Sequence, residues 1–135
     1  MGIVPRSVLI TPNLCHQGHE GIYPCALSEP ADNTARSDAW LEQNVTVILE
    51  SKAYKKGGAL FIICDEAEDT NQFSDGPIGV FLLSPFAKGG GKKPYSVNIH
   101  YDHSTLKTMQ EIFGVTPLLR AAGDKKTVDL SDLFQ

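Results

Sequence analysis

Apolar residues along the chain form two patterns, short continuous runs and longer stripes with helical spacing. Continuous runs at Ser7–Thr11, Ala59–Cys64 and Ile78–Ser84 are rich in β-branched or aromatic residues, which is typical of strands. The two later runs are apolar at almost every position, as expected of strands that are covered on both faces. This pattern predicts three strands.

Two other segments have the spacing of amphipathic helices. Between Asp38 and Tyr54 apolar side chains recur every three or four residues, and Gly57-Gly58 would end that helix. A second helix is predicted over Ser104–Phe113, with Leu106, Met109, Ile112 and Phe113 facing inward, and the final DLSDLF predicts a turn or short helix. The stretch Asn13–Arg36 is long and irregular, and loops of that length are usually functional or disordered.

The order strand, helix, strand, strand, helix predicts an α/β fold, a layered and at least partly parallel sheet flanked by helices. The 135 residues are enough for one core and are interpreted as a single domain, residues 1–135. Two helices cover only part of three strands, and an open sheet edge pairs readily with another chain. A homodimer is therefore expected, with the alternative that Asn13–Arg36 covers the sheet and the chain stays monomeric.

Composition narrows the classes of partner. The chain is 41% hydrophobic and 21% charged, with a net charge of −4, which fits a soluble globular protein. This charge gives no support for nucleic acid or an anionic membrane as a partner. No apolar run approaches the roughly 18 residues that cross a bilayer, and the N-terminus has no signal-peptide pattern. The compartment stays open, either cytoplasmic or secreted after processing.

Three cysteines are present. Cys15 and Cys25 lie in the same irregular stretch and are either bridged or free, because the sequence does not give the redox compartment. Cys64 ends an apolar run and is expected to be a small buried residue.

Polar residues follow the predicted strands. The first strand leads into Asn13–Glu20 with two histidines, and the second leads into the adjacent carboxylates Asp65 and Glu66. Ligands of α/β sheets bind at the carboxyl ends of strands, and carboxylates with imidazoles suit a divalent cation such as Zn²⁺, Mn²⁺, Mg²⁺ or Ca²⁺. The alternative is that the acidic pair only ends a strand in solvent.

Four stretches carry a resemblance to a known family: VLITPNLCHQGHEG, SDAWLEQNVTVILESKAYKKGGALFIICDEAED, PIGVFLLSPFAKGGG, and HSTLKTMQEIFGVTPLLRAAGD with the final DLSDLF. From Val8 to Phe134 the chain resembles the C-terminal half of the phosphoesterase family. That family contains phospholipase-C-like enzymes and acid phosphatases of the alkaline phosphatase superfamily. The resemblance implies an α/β fold and metal-dependent hydrolysis of phosphate esters at the carboxyl edge of its sheet.

The resemblance also implies roles for single residues. Asp65 and Glu66 match an acidic pair that supplies metal ligands, and His19 matches the histidine of a second ligand motif. Asp38 matches the aspartate before Trp-Leu, as ligand or base, although it could instead be only an N-terminal helix residue that favours the helix dipole. His103 matches the histidine before the last helix, as general acid or base.

Departures from the family pattern leave two functions open. Gln17 stands where the motif usually has aspartate, and His100 or Asp102 could take the place of His103. The family's nucleophile belongs to its N-terminal half, which this sequence does not match. One function is a hydrolase that cleaves small-molecule phosphate or carboxylate esters with metal-activated water. The alternative is a non-catalytic module that binds a metal or an anion.

Overall fold

The computed structural model describes residues 5–19, 25, 32–65, 78–91 and 102–135. The chain divides into two compact units, an N-terminal unit, Met1–Lys56, and a C-terminal unit, Gly57–Gln135. Of the helices in the described ranges, none combines the length and the apolar character of a membrane span.

The N-terminal unit contains helix α1, Asn33–Glu50, and the short helix α2, Lys52–Lys55. The predicted helix is confirmed, but it begins earlier than Asp38. The Asp32 carboxylate accepts a hydrogen bond from the backbone N–H of Ala35 at 2.8 Å and caps the helix there. A cap of this kind satisfies one of the free N–H groups at a helix start, which moves the boundary beyond the apolar stripe.

The C-terminal unit contains a two-stranded antiparallel sheet, formed by β1, Leu60–Ile63, and β2, Val80–Leu83. Leu60 pairs with Leu83, and Ile63 pairs with Val80. The prediction of a layered, partly parallel sheet is therefore wrong. Continuous apolar runs do not fix strand direction, and a parallel pair needs a crossover, usually helical. The described residues between β1 and β2, 64–65 and 78–79, contain no helix.

The sheet is also less covered than the sequence predicts. Every residue of β1 is only half-buried, and the Phe81 side chain in β2 is 65% exposed. Cys64, expected to be buried, is exposed at the end of β1. Apolar character alone thus overestimated the burial of this sheet, because burial depends on which elements pack against it.

The predicted first strand does not form. Ser7–Thr11 belongs to no helix or strand, and Leu9 is 92% exposed. Strand propensity reflects packing against a neighbouring strand more than an intrinsic backbone preference. No hydrogen bond links this segment to another described residue. Among the described residues it therefore has no neighbouring strand to pair with.

Helix α3, Asp102–Ile112, confirms the second predicted helix, but its apolar stripe is not the buried face. Leu106, Ile112 and Phe113 are exposed, whereas Ser104 and Thr108 are buried. The Thr108 hydroxyl donates to the Ser104 carbonyl and accepts from the Leu130 backbone N–H, both at 2.8 Å. The buried side of α3 is therefore the side on which Thr108 bonds to Leu130, as expected of a buried polar group that needs a partner.

The C-terminal residues turn back onto the segment that follows β2, residues 85–87. A short 3₁₀ turn at Ser131–Leu133 confirms the predicted final turn. Phe134 then forms an antiparallel bridge with Ala87, and its ring lies 6.0 Å from that of Phe61. The backbone N–H of Gln135 donates to the Phe86 carbonyl at 3.0 Å. Leu130 and Ala122 are the two described residues of this unit with no exposed surface.

Candidate functional site

The segment that carries the predicted ligand His19 begins with a tight turn. The backbone N–H of His16 donates to the Asn13 carbonyl at 2.9 Å, and that of Cys15 donates to Asn13 Oδ1 at 3.0 Å. The Nδ1 atom of His16 lies 2.7 Å from the same side-chain oxygen. Asparagine is favoured at such turns because its short side chain bonds the backbone two residues ahead. Asn13 therefore has a structural role here.

Two residues at the start of α1 hold this turn in place. Arg36 is only 5% exposed, and its Nε donates to the Cys15 carbonyl at 3.2 Å, while its guanidinium also bonds Asn33 Oδ1. The Ser37 hydroxyl donates to the His16 carbonyl at 3.0 Å. A buried guanidinium needs such acceptors, because an unpaired buried charge is costly. The turn and the first turns of α1 thus form one bonded group.

A disulfide adds a covalent constraint to the same region. Cys15 and Cys25 are bridged, with their Cα atoms 5.2 Å apart, which answers the question that the sequence left open. Cys25 is 3% exposed. Gly18 has a φ of 89°, a conformation that favours glycine, and a Cβ there would lie 3.3 Å from the Ser37 hydroxyl. The segment up to His19 is therefore constrained at several points.

His19 and Asp38 belong to the N-terminal unit, and both are exposed. His19 follows directly on the constrained Gly18. Asp38 lies beyond the first turn of α1, which begins at Asn33. The helix dipole acts mainly within the first turn, so the alternative role of Asp38 as an N-terminal helix residue does not apply.

Asp65 and His103 belong to the C-terminal unit. Asp65 follows β1 with Cys64 between them, which confirms its predicted place after a strand, and it is exposed. His103 is half-buried in the first turn of α3. Glu66 lies outside the described residues, and so does His100. Two of the three predicted metal ligands, His19 and Asp65, can thus be placed, one in each unit.

Within the described ranges, no three His, Cys, Asp or Glu side chains lie close enough together to hold a metal ion. The ligand set of His19, Asp65 and Glu66 includes a residue outside these ranges. The donor types of the two placed residues, an imidazole and a carboxylate, fit a divalent cation, and their exposure makes both accessible.

Sequence reasoning missed the electrostatic group around Asp129. Hydrogen bonds from the side chain and the backbone N–H of Ser131, the latter at 2.8 Å, hold the pKa of Asp129 below its ordinary value. Partial burial opposes this effect, and the charge of Lys107 adds to it. The Lys107 ammonium also donates to the Thr127 carbonyl at 2.8 Å. The Asp-x-Ser spacing at 129–131, typical of a side-chain turn, was the available signal.

No protein-family model, no curated protein and no solved structure matches the chain. The resemblance to the phosphoesterase family therefore stays a prediction that rests on the four sequence motifs.

Proposed function

We propose that this chain is a hydrolase of the phosphoesterase type that cleaves phosphate or carboxylate esters with a divalent cation. His19, Asp65 and Glu66 are the proposed metal ligands. Asp38 is the proposed ligand or base, and His103 the proposed general acid or base. A bound divalent cation supplies a water of lowered pKa as the nucleophile.

One observation supports this proposal most directly. Asp65 is exposed just after β1, in the position that the motif assigns to a metal ligand, and no hydrogen bond or ion pair joins its carboxylate to another described residue. His19 is exposed as well, and it follows a segment fixed by a disulfide and by Arg36. A ligand on a constrained segment loses less conformational freedom when it binds a metal.

Metal content and ester turnover test the proposal together. The purified protein is stripped with chelator, reloaded separately with Zn²⁺, Mn²⁺, Mg²⁺ or Ca²⁺, and analysed for bound metal and for cleavage of p-nitrophenyl phosphate and p-nitrophenyl acetate. We expect one bound divalent cation and metal-dependent turnover. Asp65→Asn and His19→Gln should each weaken metal binding at least about tenfold, because even outer-shell partners contribute 10–100-fold.

Glu50→Gln is the matched control, since Glu50 is an exposed carboxylate at the end of α1 outside the proposed site. It should leave metal content and turnover unchanged. Equal effects of Glu50→Gln and Asp65→Asn would mean that general charge, and not a specific site, attracts the metal.

The second candidate is a non-catalytic module that binds a metal or an anion. The exposed Gln17 favours it, because a neutral amide stands where the family motif has an anionic ligand. Stoichiometric metal binding without turnover of either ester would select this candidate. Absence of metal binding in every loading would contradict both the hydrolase and a metal-binding module.

A further inference from the structure

The segment Ser7–Thr11, here called the arm, combines strand-forming residues with the absence of a partner. Val8, Leu9 and Ile10 are 67%, 92% and 51% exposed. No hydrogen bond joins the arm to another described residue. Three consecutive aliphatic side chains that are exposed to water, on a backbone with no hydrogen bond to another described residue, are an unfavourable arrangement unless something covers them.

An open strand edge is present on the same molecule. The Cys64 backbone N–H donates to the Gly79 carbonyl at 2.9 Å, so this pair is hydrogen-bonded across the sheet. Backbone groups of an antiparallel pair point alternately toward and away from the partner strand. Those of Phe61 and Ile63 therefore point away from β2, and no bond links them to another described residue.

The open edge belongs to a sheet that has two short strands in the described part of the chain. Two strands of four residues each are marginally stable on their own. After β2 the chain turns, and Ala87 forms an isolated bridge with Phe134 outside both strands. The outer edge of β1 has no paired strand among the described residues, and an exposed edge of this kind can accept an added strand.

We propose that the arm of one copy pairs with the outer edge of β1 in a second copy, and that this exchange is reciprocal. Each copy offers one arm and one edge, so a two-fold exchange uses both surfaces and leaves neither open. The backbone groups of Phe61 and Ile63 gain partners, and Leu9 is covered. The occupant of the edge is therefore a second copy of this chain.

The size of the contact is consistent with a specific dimer. By the usual transfer values, burying Val8, Leu9 and Ile10 removes roughly 200–350 Å² of apolar surface from water for each arm. Two arms, with the two edges that they cover, reach about the lower limit of specific interfaces, roughly 1,200 Å².

Cross-linking tests the contact, because Cys64 places an exposed free thiol at the end of β1. Ser7→Cys and Thr11→Cys put a second thiol at either end of the arm, both at exposed positions. A short bis-maleimide is added without reductant, which leaves the bridge between Cys15 and Cys25 intact. We expect one of the two variants to give a covalent dimer in high yield. Thr11→Cys reacts if the strands are parallel, and Ser7→Cys if they are antiparallel.

Two controls locate the cross-link. Adding Cys64→Ser to the reactive variant should abolish the covalent dimer, and Thr46→Cys, an exposed position on α1, should not react with Cys64. A covalent dimer that survives Cys64→Ser would show contact between arms and would overturn the proposal. Equal yields from Thr46→Cys would mean random collision and would also overturn it.

Light scattering coupled to size-exclusion chromatography supplies the second measurement. The protein should elute at about twice its mass of 14.7 kDa at micromolar concentration. Leu9→Lys should give the monomer, whereas Leu14→Lys, a 61% exposed leucine outside the arm, should stay dimeric. A monomeric unmodified protein, or equal behaviour of the two lysine variants, would overturn the proposal. Circular dichroism verifies that both variants are folded.

Discussion

At the scale of single residues, the position of Asp129 makes stability depend on pH. Its pKa is lowered in the folded protein, first by the Ser131 hydrogen bonds, so the folded state favours the ionised carboxylate. The resulting stabilisation is present above the unfolded pKa and is lost as the pH falls through the folded pKa.

Asp129→Asn should therefore reduce the free energy of unfolding more near neutral pH than near roughly pH 2, and by no more than about 1 kcal/mol, because solvent screens a carboxylate that is only partly buried. Urea unfolding of both proteins at the two pH values measures this. Glu42→Gln, an exposed change on α1, should stay within about 0.5 kcal/mol at both. A constant difference between Asp129→Asn and the parent at all pH values would argue against the ionised carboxylate as the cause.

The second prediction at this scale concerns Gln17, an exposed residue in the segment that precedes His19. Gln17→Asp adds the anionic oxygen that the family motif has at this position, so divalent-metal affinity should rise about tenfold, a typical effect for a group around a metal. Calorimetry with the preferred cation measures the change. Gln43→Asp, an equally exposed change on α1, should leave the affinity as it is. Weaker or unchanged binding in Gln17→Asp would count against the site.

The sequence predicts the environment of a residue correctly where its own chemistry and its neighbours in sequence determine whether it is exposed. The exposure of Asp65 after β1 follows from its charge, and the strand itself follows from its apolar run. Arg36 was not anticipated, since nothing in its neighbourhood distinguishes a buried arginine from a solvated one. Its burial depends on the carbonyl of Cys15, which is distant in sequence.

At the scale of elements, Arg36 connects a turn to a helix. Arg36→Met keeps the apolar stem but removes the donors to the Cys15 carbonyl and to Asn33. The free energy of unfolding should fall by about 1.5–3 kcal/mol, the range for hydrogen bonds that involve a charged group. Urea unfolding followed by circular dichroism measures the loss.

Arg6→Met provides the comparison for Arg36→Met, because Arg6 is exposed. It should change the unfolding midpoint only slightly. A similarly small effect of Arg36→Met would show that the bonds between the turn and α1 contribute little in solution.

The elements themselves were partly predictable. Both amphipathic helices and two of the three strands lie where the apolar spacing placed them. Strand direction and the missing first strand were not predictable, because both depend on which partner lies alongside. The predicted inward face of α3 was wrong for a related reason: the Thr108 hydroxyl accepts a hydrogen bond from the Leu130 backbone N–H of the C-terminal chain, and it donates to the Ser104 carbonyl within the helix.

At the scale of the whole molecule, the disulfide and the hydrogen bonds of Arg36 stabilise the N-terminal unit. The bridge between Cys15 and Cys25 and the bonds of Arg36 to Cys15 and Asn33 lie within Met1–Lys56. Reducing the disulfide, whose cysteines are separated by 10 positions, should remove about 2–3 kcal/mol of stabilisation. We expect this loss to fall mainly on the N-terminal unit.

Hydrogen exchange followed by mass spectrometry tests this expectation. After addition of dithiothreitol, amides of α1 should exchange faster, while those of α3 should keep their protection. A Cys15→Ser/Cys25→Ser protein should reproduce the reduced state and should not respond to reductant. Equal acceleration in α1 and α3 would mean that the chain opens as one cooperative body.

The anchoring of Gln135 has a practical consequence for limited proteolysis. The backbone N–H of Gln135 donates to the Phe86 carbonyl at 3.0 Å, and its side-chain amide donates to the Pro85 carbonyl at 3.2 Å. An endoprotease needs several consecutive residues in an extended and accessible conformation, so cleavage between Leu133 and Gln135 should first require these bonds to open.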